Sequence, residues 1–233
     1  MTDAPSGATS HDASGAFWPA DPGALDTTTS DPDAPKETDG RRHRRALNRE
    51  AVVNALLDLY SEGNLRPSTD EIAERAGISP RSLFRYFDDA DDLAGEAVNR
   101  QLSRAMPLLP FAVGPDAPFD VRVAALVDQR LRLFTTLGQA AHVARLRAPF
   151  QPRLAKSLRD GRRFLRSQVR ALFTPELLSM ADDDAESALA AADVLTGFES
   201  YQLLTGDQGL TVDEARSVLL GTLSVLLTPK ETR

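Results

Sequence analysis

The 233-residue sequence predicts an all-α protein, and three observations carry that prediction. Apolar residues recur at helical spacing in one segment after another. No stretch alternates with a strand period over any length. Residues 68–87 carry the start and stop signals of two short helices joined by a tight turn. The expected partition is an acidic, disordered tail over 1–40, a three-helix unit with a basic arm over 41–88, and a larger helical unit over 89–233.

Residues 1–40 are rich in Ala, Asp, Pro, Ser, Thr and Gly and follow neither period, a composition that buries too little apolar surface to order the chain. Phe17 and Trp18 are the one apolar spot there. Arg41-Arg42-His43-Arg44-Arg45 forms a basic arm ahead of the first helix, expected from Leu47 to Glu62 with Val52, Val53, Leu56 and Leu57 on one face and Gly63 ending it. Ser68 and Glu71 have capping-box spacing, Ile72, Ala73 and Ala76 form an inward stripe, and Gly77 supplies the backbone freedom of a sharp turn. Ser79 can cap the next helix, Pro80 suits its first position, and Leu83, Phe84 and Phe87 are its expected inner face. Asp88 and Asp89 cap a fourth helix over about 90–104. Prolines 107, 110, 115 and 118 make 106–118 a loop or linker. Five further helical patterns follow, over 119–137, 140–148, 153–173, 183–205 and 211–227.

The hairpin at 68–87 has the spacing of a helix-turn-helix, with a small residue, a glycine and an apolar residue at 73, 77 and 83. Its second helix leaves Arg81, Ser82, Arg85 and Tyr86 pointing outward, all of them phosphate or base-edge chemistry. Arg81 is the best base-contact candidate, because a guanidinium pairs bidentately with guanine O6 and N7, and Pro80 can touch a thymine methyl. The arm, with Arg44 and Arg45, stands where a phosphate or minor-groove contact belongs. With Ser68, Thr69 and Ser79, these residues make up the expected DNA-binding surface.

A net charge of −7 conflicts with DNA binding only until it is divided along the chain. Residues 1–40 hold one lysine against eight acids, whereas residues 41–87 hold nine arginines against six. Local charge decides how a surface meets a polyanion. The absence of cysteine excludes disulfides, thiolate nucleophiles and cysteine zinc sites. His11, His43 and His142 are never at metal-ligand spacing. With no glycine-rich phosphate loop and no Gly-x-Ser-x-Gly elbow, the sequence points to no enzyme, no catalytic residues, no metal and no cofactor. It has no apolar run of membrane-spanning length and no signal-peptide start, so a cytoplasmic protein without a membrane partner is expected.

The block 48–93 resembles the N-terminal domain of the tetracycline-repressor (TetR) family of bacterial regulators. The likeness lies in Thr69-Asp70-Glu71-Ile72-Ala73, Ala76-Gly77-Ile78-Ser79, Leu83-Phe84-Arg85-Tyr86-Phe87 and Asp92-Leu93, and is close over about a fifth of the chain. It implies that Ser82, Tyr86 and Thr69 hold phosphates and set register, and that Arg85 stands where many relatives carry an aromatic residue. The sequence departs from the family where relatives place a lysine three residues after the last Phe of the hairpin: here that position is Ala90, within the run Asp88-Asp89-Ala90-Asp91-Asp92. Those carboxylates repel a phosphate backbone, so either the basic arm takes over that clamp or the protein binds DNA weakly.

The resemblance further implies that the C-terminal helices enclose a small-molecule effector and pair two subunits into a homodimer that reads a palindrome in double-stranded DNA. The last two helices are the candidates for pairing, with Ala188, Ala192, Gly197 and Gly221 allowing close approach. Leu131, Phe134, His142, Leu146, Phe150, Phe164 and Gln168 are candidate cavity residues, although such residues are more often core. Arg159, Arg163, Arg166 and Arg170 form a basic stripe, usually a solvated face, or else a cradle for an anionic ligand; the effector expected is an acyl-coenzyme A or another largely apolar ligand. The expected function is a ligand-released repressor, against the alternative of an activator or architectural protein without a ligand.

Overall fold

From Arg41 to Ser61 the chain has no glycine or proline and many strong helix formers, and that run is a single helix, α1 (Gly40–Ser61). The basic arm is therefore not a separate extended segment: Arg44 and Arg45 lie on the first turns of α1, because nothing between 40 and 47 interrupts helix propagation. The computed structural model describes residues 40–228, with side chains from residue 43. The acidic tail with His11, Phe17 and Trp18 lies outside the described residues, as do the side chains of Arg41 and Arg42.

Helix α2 (Thr69–Ala76) begins at the capping box: Glu71 N–H donates to Ser68 Oγ, and Ser68 N–H donates to Glu71 Oε2 at 2.7 Å. Gly77 ends it at φ 68°, and Ile78 N–H donates to Ala73 O at 3.0 Å, closing the glycine turn. Helix α3 is one turn only, Pro80–Leu83, capped by the Ser79 hydroxyl. The chain then turns, so the helical period breaks after Leu83. Phe87 still reaches the core, but Phe84, expected inside, is 54% exposed. Helix α4 (Ala90–Ala105) is capped by Asp89, whose carboxylate accepts from Asp92 N–H at 2.7 Å.

Helix α5 (Phe119–Arg147) joins two of the expected helices across a kink at Gly138, where φ is 50° and ψ −145°. Helix α6 (Pro152–Leu172) follows a single 3₁₀ turn. Pro175 sits in the first turn of a short α7 (Thr174–Leu178). The pattern at 183–205 is broken: α8 (Asp182–Leu195) ends at buried Thr196, Gly197 is extended, and α9 (Phe198–Gln202) runs into a π turn over Leu203–Asp207. Helix α10 (Val212–Leu227) starts at a second capping box, Thr211 with Glu214.

Three apolar clusters hold these helices together. The first joins α1, α2, α3 and the start of α4 through Val53, Leu56, Tyr60, Ile72, Leu83, Phe87 and Leu93, and reaches Ala140 and Val143 of α5. The second packs the first half of α5 against α6, α7, α8 and α10. The third gathers Val98 and Leu102 of α4 with Leu133, Phe134 and Leu137 of α5, Phe164 of α6 and Phe198 of α9. Helix α4 thus contributes to two clusters, its first half to one and its second half to the other.

Gly138→Ala should lower the unfolding free energy by about 1–3 kcal/mol, since an alanine is strained at that positive φ whatever the space around it. Gly95→Ala, in the interior of α4 with nothing within 4 Å of the added Cβ, should raise it by about 0.5–1 kcal/mol. Paired thermal melts check the opposite signs.

Candidate functional site

The start of α1 lies beside the end of the helix-turn-helix. Arg45 Nη2 donates to Arg85 O at 3.3 Å, and Asn48 Nδ2 donates to the Tyr86 hydroxyl at 3.0 Å. Arg44, Arg45, Asn48, Arg85 and Tyr86 line one open groove. Below it Arg49 pairs with Glu96 of α4 at 2.9 Å and stands 4.9 Å over the Phe87 ring, which ties the groove to the core. Arg81 is exposed at the start of α3 and has no ion-pair partner among the described residues. A guanidinium free of intramolecular partners has all its donors available to phosphate or base edges.

The expected DNA-facing residues fall into two groups. Arg44, Arg45, Pro80, Arg81 and Arg85 are exposed, and Thr69, Ser82 and Tyr86 half-buried. Ser68 and Ser79 are engaged in caps: Ser68 Oγ donates to Glu71 Oε2 at 2.7 Å, and Ser79 Oγ accepts from Ser82 N–H at 3.3 Å and lies 2.9 Å from Ser82 Oγ. Their hydroxyls hold helix starts. Asn48 escaped the sequence reading, although it lies one turn after Arg44 and Arg45 on the same helix face, and that spacing was the available signal. The acids at 88–92 are mostly engaged within the chain: Asp89 and Asp92 build the α4 cap, and Asp91 pairs with Arg147.

A second site is an apolar cavity of about 50 Å³ in the third cluster, lined by Val98, Gln101 and Leu102 of α4, Leu133, Phe134, Leu137 and Arg145 of α5, and Leu158, Gly161, Arg162 and Leu165 of α6. Of the seven candidates read from the sequence, Phe134 alone lines it. Leu131 is buried in the second cluster, because α5 turns that face toward α10. Phe164 is buried beside the cavity in the third cluster, and His142 is half-buried. Leu146 and Phe150 are exposed, Phe150 by 85%, since the chain leaves the core at the 3₁₀ turn after α5. Gln168 is buried, and its side-chain N–H donates to Leu109 O at 2.6 Å. Val98 and Leu102 of α4 carry no sequence signal that separates a cavity wall from ordinary helix packing.

One rim of the cavity is charged. Arg145 Nε donates to Glu199 Oε1 at 2.8 Å, and its guanidinium lies 4.0 Å over the Phe198 ring. Arg162 also pairs with Glu199. Burial pulls the Arg145 guanidinium below its ordinary range, and Glu199 opposes that shift. Burial pushes the Glu199 carboxyl upward, but the Arg145 hydrogen bond and the two arginine charges outweigh it and leave the group below the usual carboxylate range. The basic stripe on α6 is largely paired: Arg163 with Asp160, and Arg166 and Arg170 with Glu186.

Helices α8 and α10 leave apolar residues outward, Val194 at 68% exposure, Val218 at 45% and Val225 at 81%. Val218, Gly221, Thr222 and Val225 are all exposed at helical spacing on α10. Ala188 and Ala192, expected to permit close approach of a partner, are buried within the chain's own second cluster, because they face α6 and α10.

Residues 53–97 match the sequence profile of the family described as bacterial regulatory proteins, tetR family. No curated protein matches the sequence. Among solved structures, a transcriptional regulator from Rhodococcus sp. Rha1 is 19% identical, with 77% of this chain and 95% of that one covered at a TM-score of 0.57. A protein described as a TetR-family transcriptional regulator from Rhodococcus sp. is 19% identical, covering 78% and 99% at a TM-score of 0.52. Another so described, from Mesorhizobium loti, is 17% identical, covering 79% and 96% at 0.51. These likenesses show the all-helical fold.

Proposed function

We propose that this chain, a DNA-binding regulator whose residues 53–97 carry the N-terminal domain of the tetR family, works as a homodimeric repressor released by a small molecule. The observation that carries the reading is the double role of α4. Val98, Gln101 and Leu102 wall the cavity, while Leu93 and Ala97 pack in the cluster that holds Leu83 and Phe87. A molecule that enters the cavity displaces the second half of α4. Because that helix is rigid, its first half moves against the core of the helix-turn-helix. A coupling of about 1–3 kcal/mol between the two sites is enough for a 5- to 150-fold change in operator affinity. In this reading 41–88 is the DNA-binding domain and 89–233 the effector and dimerisation domain.

The test is binding to duplex DNA from the region upstream of the protein's own coding sequence, over a salt series. Steep salt dependence is expected, with the logarithm of affinity falling by about 0.9 for each phosphate contacted per tenfold rise in salt, at two protomers per site. Affinity that ignores salt sinks the reading. Pairing through the outward faces of α8 and α10 is expected of the dimer, and Val218→Asp with Val225→Asp should convert it to monomer in sedimentation equilibrium while leaving the helical spectrum intact, because each change places like charges opposite one another in a two-fold interface.

A second reading draws on the cavity's size. About 50 Å³ is far below the roughly 300–1,000 Å³ of sites that hold drug-sized ligands. A regulator without an effector needs no larger space. The two readings part on whether any small molecule raises the melting temperature and weakens operator binding together.

A further inference from the structure

We propose that Arg130, which lies one turn of α5 before the cavity wall and is not itself part of the lining, is an anion-recognition site reached from the cavity, and that the effector is an amphiphile with a short apolar body and a single carboxylate; this rests on the reading of that cavity as an effector site. Arg130 is 1% exposed, the largest of the fully buried side chains. No carboxylate pairs with it among the described residues, in contrast to buried Arg122, whose guanidinium is held by Glu176 at 2.5 Å. Its hydrogen-bond acceptors are all neutral. Nη1 donates to Gln168 Oε1 at 3.0 Å and to Gln129 Oε1, and Nη2 donates to Leu165 O at 2.8 Å. Three acceptors face five N–H donors, and the Nε–H has none. The Phe111 ring lies 6.0 Å from the guanidinium but supplies no hydrogen-bond acceptor in its plane, and a carboxylate is the group that would take up the remaining N–H donors, through paired hydrogen bonds from one edge.

The location fits an amphiphile. Leu133 and Phe134, on the cavity wall, follow Arg130 by one turn of α5, and Leu165, whose carbonyl Arg130 holds, also lines the cavity. The apolar body would lie between Leu102, Leu133, Phe134 and Leu137, with its charged end toward Arg130. Gln129 and Gln168 now donate to Leu109 O, the latter at 2.6 Å, and each can turn an amide N–H to an entering anion. Burial pulls the Arg130 guanidinium down to about 9, so it is still charged at neutral pH. The charge of Asp193 opposes that shift in part, while its carboxylate stands 3.8 Å from Arg166.

The experiment compares the full chain with straight-chain monocarboxylates from acetate to octanoate and with the primary amide of each, by thermal shift and calorimetric titration. One or more acids are expected to bind about tenfold or more tightly than the matching amide, as hydrogen bonds to a charged partner require. Arg130→Gln should abolish that preference while the amides bind as before. A carboxylate series that nowhere exceeds its amides overturns the proposal, and so does a preference that survives Arg130→Gln. Should that variant fail to fold, Arg145→Gln with Arg162→Gln on the cavity's charged rim decides: an acid preference that survives those changes supports Arg130, and one that they abolish overturns the proposal. Operator binding of the ligand-free protein, measured alongside, separates the two levels: if it holds while the acid preference is absent, the anion site fails and the regulator stands.

Discussion

Glu176→Ala should remove about 3–5 kcal/mol of stability, the range for breaking a buried ion pair by deleting one partner. Arg122 is buried and Glu176 partly so, with two short contacts, Nη1 to Oε2 at 2.6 Å and Nη2 to Oε1 at 2.5 Å. The same guanidinium donates to Ala117 O at 2.8 Å and Leu172 O at 2.9 Å, and lies 5.8 Å and 5.4 Å from the rings of Phe119 and Phe173. One side chain therefore fastens the proline-rich loop, the start of α5, the end of α6 and the short α7. Truncating Glu176 leaves that cation in place with no counter-charge, whereas Glu176→Gln keeps an acceptor and should cost less. The double change Arg122→Met with Glu176→Leu removes both charges and should recover much of the loss. Denaturant unfolding at one fixed protomer concentration measures all three, because any self-association would make stability depend on concentration.

That pair also shows where sequence reading reached its limit. Arg122 and Glu176 are 54 residues apart, and nothing in either segment's periodicity says that they meet. Local signals were legible: the capping box of Ser68 and Glu71, the glycine turn at Gly77 and the break near Gly138 follow from side-chain chemistry within a few residues, while the equal spacing of Thr211 and Glu214 went unread. Misreadings came where a short-range rule met a tertiary constraint. Phe84 fits a helical stripe, but α3 stops after one turn and turns the ring outward. Leu146 and Phe150 fit a cavity lining until the chain exits the core at its 3₁₀ turn. Leu131, Phe134 and Phe164 are all apolar residues on amphipathic helices, and only the relative rotation of α5 and α6 decides which of them meets the cavity. Charge was legible only as a local sum. The groove at Arg44, Arg45 and Arg85 needed α1 to begin as early as Gly40, which the basic run itself allows.

Arg81→Ala should cost about 1–3 kcal/mol of operator affinity per half-site, and about twice that for a dimer in which both copies lose the contact. Because the free Arg81 makes no ion pair among the described residues, its removal leaves no stranded partner in the unbound protein, and the loss reports on the complex alone. The contrast with Arg44→Ala identifies the role. Deleting a base contact narrows the gap between operator and random duplex, with the salt slope nearly unchanged. Deleting a phosphate contact weakens both duplexes alike and reduces the slope by about 1 per contact removed. Competition titrations of each variant with operator and scrambled DNA at several salt concentrations resolve the two patterns. If Arg81→Ala behaves like Arg44→Ala, sequence readout moves elsewhere on the turn, and Arg85, exposed beside Tyr86 in the same groove, is the next residue to replace.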